Sequence, residues 1–176
     1  QVEVVTDRST LKPRAESVGD AVAWGDISPS GARAVLEARG EIFTVPAENG
    51  ITRNLTRSSG VAERSPMWSP DGRWIAYFSD AGGEYELTVR AADGSGQERR
   101  LTELGEGFRY HPYWSPDSKK IAFIDQAQVI QIYDFDTDTV TAVDEGLWMM
   151  HGGTMGFRPS WSSDGRWMTW SRPTDN

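Results

Sequence analysis

The large apolar residues of this chain fall in short runs, each fenced by Pro, Gly, Ser or Asp. Trp74-Ile75-Ala76-Tyr77-Phe78 follows the turn phrase Trp68-Ser69-Pro70-Asp71-Gly72. Runs of this length, aromatic and β-branched between turn formers, predict strands. The phrase returns. Lys120-Ile121-Ala122-Phe123-Ile124 follows Trp114-Ser115-Pro116-Asp117-Ser118, and Trp167-Met168-Thr169-Trp170 follows Trp161-Ser162-Ser163-Asp164-Gly165. A degenerate first copy reads Ile27-Ser28-Pro29-Ser30-Gly31, then Ala34-Val35-Leu36-Glu37-Ala38. Pro66, Pro112 and Pro159 each stand two residues before the repeated Trp.

The copies begin at positions 27, 68, 114 and 161, which are 41, 46 and 47 residues apart. That period belongs to the blades of a β-propeller and exceeds the repeat of most solenoids. A third run completes the pattern in three copies: Glu41-Ile42-Phe43-Thr44-Val45, Glu86-Leu87-Thr88-Val89-Arg90 and Val129-Ile130-Gln131-Ile132-Tyr133. A fourth strand is expected at Asn54-Leu55-Thr56, Arg100-Leu101-Thr102 and Ala142-Val143-Asp144. The expected fold is therefore all-β, a propeller fragment of four-stranded antiparallel blades, with no helix. Blades are expected over 19–60, 61–107 and 108–153, with the first half of another over 154–176. Residues 1–18 would supply an outer strand, through Val2-Glu3-Val4-Val5, and a linker. Three blades and a fraction do not close a ring of usual width. The chain thus reads as part of a larger propeller, whose open blade edges would invite a second copy.

In this frame the repeated aromatics are packing. Asp and Gly suit the turn, Asp through its side-chain acceptor and Gly through its freedom at positive φ. The rings fill the space between blades, each burying roughly 150–250 Å².

Composition removes several function classes. No apolar run approaches the roughly 20 residues of a membrane helix, and no membrane partner is expected. Gln1-Val2-Glu3-Val4-Val5 has neither the basic start nor the apolar core of a signal peptide, so any leader would lie outside this chain. The net charge of −8 opposes binding to nucleic acid, which needs clustered cations. The absence of Cys rules out disulfides, thiol catalysis and Cys-based zinc sites.

Little chemistry remains. His111 and His151 are the only histidines, and no Gly-x-Ser-x-Gly elbow accompanies them, so no catalytic residue is expected in this chain. Asp134-x-Asp136-x-Asp138 with Glu145 mimics a calcium loop. Thr139 nevertheless stands where that loop needs Gly, and the flanks read as strands; a solvated acidic turn is expected, with no metal and no cofactor. Asp71, Asp117 and Asp164 recur at one position as turn caps. Asn54-Leu55-Thr56 matches a glycosylation triplet by accident of a strand. Arg64, Arg109, Tyr110, His111 and Arg158 cluster just before the inner strands, at one mouth of the expected channel. Guanidinium groups there suit carboxylate-bearing ligands, while neighbouring acids such as Glu63 and Glu106 suit plain rim pairing.

The W-S-P-D-G and R-W-I-A-Y repeat resembles the propellers of TolB and of the tricorn proteases. The longer phrases “ISPSGARAVLEARGEIFTVPAENGITRNLT”, “RSPMWSPDGRWIAYFSDAGGEYELTVR” and “WSPDSKKIAF” resemble a propeller segment of a tricorn-type serine peptidase, over nearly the whole chain. The resemblance implies a multidomain parent with two propellers, a PDZ-like domain and a separate catalytic core. Such propellers guide unfolded peptides to and from that core, and no segment here resembles the core itself. The implied partners are unfolded polypeptide and the parent's other domains. Export to the periplasm is implied too, with the cytoplasm as the alternative. A TolB-like docking propeller, or a self-associating scaffold without any link to proteolysis, is the competing function.

Overall fold

The computed structural model describes residues 17–146 and 158–171. The expected strand at Val2–Val5 and His151 lie outside the described residues. After a 3-10 turn at Gly19–Ala21, the first sheet holds β1 (Val22–Ile27), β2 (Arg33–Ala38), β3 (Glu41–Pro46) and β4 (Arg53–Asn54). The second holds β5 (Glu63–Trp68), β6 (Trp74–Ser79), β7 (Glu86–Ala91) and β8 (Arg99–Arg100). The third holds β9 (Arg109–Trp114), β10 (Lys120–Asp125), β11 (Val129–Asp134) and β12 (Thr139–Glu145). A hairpin follows, β13 (Ser160–Trp161) with β14 (Met168–Thr169). Strands pair with their chain neighbours, all antiparallel, so the first three sheets are four-stranded meanders. Among strands of different sheets, β5 packs against both β1 and β9. First strands thus stand side by side as inner strands, and the sheets are propeller blades.

One turn builds every blade. Ser69 Oγ donates to Asp71 Oδ1 at 2.6 Å and accepts the Trp74 amide at 2.9 Å, while Asp71 Oδ1 accepts the Arg73 amide. Ser115 with Asp117 and Ser162 with Asp164 repeat the arrangement. Gly72 and Gly165 take φ of 72° and 69°. Ser118 occupies the same left-handed position at 59°, where a side chain costs roughly 1 kcal/mol or more. Its hydroxyl accepts the Asp71 amide of the preceding blade at 3.1 Å, which offsets part of that cost. The turn carboxylates ionise more readily than usual: the Ser115 hydroxyl holds Asp117 below the ordinary carboxylate value, and the Ser162 hydroxyl does so for Asp164.

Between blades the second strands are covered on both faces, so they read as continuous apolar runs. Ile75 and Tyr77 pack backwards with Trp68 against Val35, Ile42 and Leu55 of the first blade. Ala76 and Phe78, with Leu87 and Val89, pack forwards against Trp114, Ile121, Phe123 and Tyr133 of the third. Ile124 and Ile130 pack on against Met168 and Trp170. Indole hydrogen bonds fasten the same seams. Trp114 Nε1 donates to the Met67 carbonyl at 3.3 Å, and Trp161 Nε1 to the Tyr113 carbonyl at 3.1 Å. Trp68 Nε1 is buried without an acceptor; Asp26 of the first blade reaches the Trp68 backbone amide instead, at 2.8 Å.

This asymmetry is testable. Trp68 and Trp114 are equally buried, each 7% exposed. Trp114→Phe loses the indole bond, although the Met67 carbonyl keeps its place in the ladder opposite Ala76, and is expected to cost about 1 kcal/mol more than Trp68→Phe in urea melts. Equal costs would mean that the indole bond contributes nothing beyond packing.

Candidate functional site

The residue three places before each repeated aromatic position shares one spot on successive inner strands: Trp24, Ser65, His111 and Arg158. The next residue is Pro in three of these copies, and Pro cannot donate to a ladder. The pairing slips there, between Arg64 and Met67 in the second blade and between Ala122 and Ile124 opposite β9 in the third. Ser65 and His111 consequently adopt φ of 53° and 30° in mid-strand. Non-glycine residues so placed carry roughly 1–3 kcal/mol of strain, which the surroundings must hold, and such residues gather at functional sites. Glu37 holds Ser65 by accepting its amide at 2.8 Å. His111 is held by Trp24, whose ring stacks on the imidazole across the second blade, with centroids 4.2 Å apart at 27°.

The imidazole is half-buried, and its Nδ1 is covered without a partner. Burial, and then the nearby Arg158 charge, push the His111 pKa below the ordinary 6.5, so the ring is neutral at pH 7. Exposed Arg158 lies over the Tyr113 ring, 5.3 Å from its centroid. The result is an aromatic and cationic surface contributed by inner strands of different blades. It can stack on flat groups and pair with carboxylates. Among the described residues no Ser or Thr hydroxyl is hydrogen-bonded to the His111 imidazole.

The other expected mouth residues separate into two groups. Arg64 is exposed and lies 5.7 Å from the centroids of both Tyr85 and Phe108. Phe108 in turn contacts Tyr110, centroids 4.9 Å apart, and Tyr110 packs onto Ile124 and Ile130. Arg64 and Tyr110 thus share one half-exposed aromatic patch at the junction of the second and third blades. Arg109 turns inward instead: it is 5% exposed, donates to the Gly107 carbonyl, and its Nη2 stands 4.0 Å from Glu86 Oε1. Glu86 also accepts the amides of Leu104 and Gly105 and the Thr102 hydroxyl, so the pair organises the connection between these blades. Trp24 was not among the sequence candidates; superposing the copies on their turns puts it in register with His111.

The acidic run after β11 is a hairpin turn with its carboxylates engaged. Asp134 pairs with Lys120, Asp136 with Lys119 at 2.9 Å, and Asp138 accepts the Tyr133 hydroxyl. Among the described residues no cluster of His, Asp or Glu could hold a metal ion. The Asn54 carboxamide donates to Glu41 and accepts the amides of Thr56 and Arg57, leaving the triplet half-buried. Among the described residues no helix is long and apolar enough to cross a membrane.

Blades of this build, joined through their inner strands, define a β-propeller protein. Residues 23–176 match the tricorn protease second beta propeller domain, and the chain belongs to that family. An uncharacterized protein of Agrobacterium fabrum is 30% identical over 137 residues, which span 71% of this chain and 44% of that protein. This chain therefore spans less than half of that relative. TolB from Acinetobacter baumannii superposes with a TM-score of 0.66 at 24% identity, over 86% of this chain and 38% of TolB. The crystal structure of the tricorn protease gives a TM-score of 0.53 at 18% identity, over 74% of this chain and 13% of the protease. At these identities the two structures establish the fold alone.

The His111 shift has a definite sign. Its folded pKa lies below the unfolded value, so the unfolded chain takes up the proton first as pH falls. The stability contributed by the neutral ring is present above about pH 6.5 and is lost as the pH falls through the lower folded pKa. Urea midpoints should fall between about pH 7 and pH 5 in the parent and be flatter in His111→Asn, since Asn tolerates the left-handed backbone. Identical pH profiles would show that the imidazole is not strained against protonation.

Proposed function

We propose that this chain is a non-catalytic propeller segment of a tricorn-like serine peptidase, and that it guides unfolded polypeptide. The observation that carries the reading is the Trp24–His111 stack with Arg158 beside it, a surface made by inner strands where a channel would open. Stacked rings hold side chains of many kinds without demanding a sequence, and a guanidinium engages carboxylates and carbonyl oxygens. Such contacts favour weak, tolerant binding, which suits passage better than capture. The peptidase chemistry belongs to a core carried elsewhere in the parent, in the periplasm or another exported compartment. Outer blade edges offer the surfaces for neighbouring domains or a second copy.

A second reading is a TolB-like docking platform with no part in proteolysis. The half-exposed Arg64, Tyr85, Phe108 and Tyr110 patch favours it, because aromatic and Arg side chains anchor protein interfaces.

Fluorescence anisotropy with two labelled, unstructured peptides of scrambled sequence separates these readings. Guidance predicts similar weak affinities for both, reduced about ten-fold by Trp24→Ala. Tight binding confined to one folded partner, lost on Phe108→Ala and untouched by Trp24→Ala, would favour docking. Peptide cleavage by this chain that disappears in His111→Ala would overturn both.

A further inference from the structure

A second concave site lies away from the inner strands, between the outer edge of the first blade and the β7–β8 turn of the second. Arg53, Asn54, Leu55, Thr56, Arg57, Arg90, Asp93 and Gly94 enclose about 310 Å³. Three guanidinium groups on one small cavity are out of character in a chain of net charge −8. None of them forms an ion pair among the described residues.

Their hydrogen bonds are mostly to backbone carbonyls. Arg53 Nη1 donates to the Asp93 carbonyl at 2.9 Å, and Arg57 Nε to the Asn54 carbonyl at 3.2 Å. Arg57 is fixed further by its left-handed backbone, φ 50°, with its amide on Asn54 Oδ1. Arg90 is the least satisfied: half-buried, its Nε is covered without an acceptor, and Nη2 reaches only Gly96 O at 3.5 Å. A buried donor left unpaired costs about 1–3 kcal/mol, more in a charged group.

Two of the acids nearby have partners within their own turns and strands, and Arg53 adds its field at Asp93. Asp93 caps its own turn by accepting the Ser95 amide at 2.8 Å, and Glu98 accepts the Tyr77 hydroxyl at 2.8 Å. The Asn54 side chain is committed to Glu41 and the following turn. Gly94, at φ 79°, brings the turn so close to Leu55 that a Cβ there would stand 3.3 Å from its methyl. The cavity floor is thus fixed by packing, and its cations are held by backbone.

We propose that this cavity binds an oxyanion, phosphate or carboxylate, with Arg90 as the principal donor and Arg53 and Arg57 closing the charge around it. Guanidinium groups match both oxyanions in geometry and charge. The inference is independent of the reading given to the inner-strand site.

The test is a titration of the full chain with inorganic phosphate and, separately, acetate, at constant ionic strength set with chloride. Backbone amide resonances of Leu55 and Gly94 report occupancy. Saturable shifts are expected, weakened about ten-fold or more in Arg90→Met and in Arg53→Met, and only partly in Arg90→Lys. Arg53 is exposed, so its variant tests the site even where Arg90→Met unfolds. Phosphate binding more tightly than acetate assigns the cavity to a free or esterified phosphate; the reverse order assigns it to a carboxylate side chain or chain terminus. No saturable shift with either anion overturns the proposal. So does undiminished affinity in an Arg90→Met protein that melts like the parent.

Discussion

The indole at the end of the inner strand in the second, third and fourth copies is the contact on which the other features depend. A blade meander alone is a small sheet with two apolar faces, and such a sheet is not stable in water without a partner on each face. The repeated Trp supplies that partner and gives it a register. Its ring fills the seam between sheets, while its N–H reaches the main chain of the blade before it, as Trp114 does at Met67 and Trp161 at Tyr113. Ring burial contributes roughly 1.5–3 kcal/mol per side chain and the bond a further 1 or so. The bond is directional, so at these two seams it fixes how far one blade is rotated against the next; at the first seam Asp26 on the Trp68 amide takes that part.

With the seams so fixed, the interior of the repeat has little freedom left. Ile75, Tyr77, Ala76 and Phe78 face alternate neighbours, and a polar substitution at any of them would lack a partner. Variation is tolerated where the inner strand bulges ahead of Pro. At that position three copies carry Ser65, His111 and Arg158, each ahead of Pro, and the first carries Trp24 ahead of Gly25. At Ser65 and His111 the slip leaves a left-handed backbone, and its strain is balanced by Glu37 at one copy and by ring stacking at the other. The place where the repeat diverges most in chemistry is also where its backbone is least regular.

The strands and turns were legible because each rests on local chemistry that the letters carry directly. Ser69, Asp71 and Gly72 name their turn, and the doubly buried run from Trp74 to Phe78 has the length of a strand and nothing of a helical period. The first copy is subtler: β2 begins at Arg33, ahead of the apolar run, because Arg33 takes the Ser28 hydroxyl bond that Trp74 takes from Ser69. The site was only half legible. His111 and Arg158 stood out by residue type, but nothing in the letters around Trp24 marked it, since stacking between the first and third blades is a long-range fact. Arg109 shows the opposite limit. Its letter suggests an exposed cation, whereas the partner that draws it inward, Glu86, lies in another blade.

The two arginine groupings differ for the same reason. At the junction of the second and third blades, Arg109 found a buried acid, and Arg64 found rings whose faces attract a cation. At the junction of the first and second, the turn acid Asp93 accepts its own Ser95 amide, and Arg90 forms no ion pair among the described residues. A repeat places equivalent residues at equivalent seams but cannot guarantee that each cation meets an anion there. The third blade illustrates the satisfied case: Arg99 of the second blade donates to the Tyr133 hydroxyl at 3.2 Å and lies over Phe135. Arg53, at the corresponding outer strand one blade earlier, donates to the Asp93 carbonyl and acts on the Asp93 carboxylate only through its field. Neighbouring seams with the same geometry thus differ in electrostatic completeness, and the incomplete one is where an external anion has most to offer.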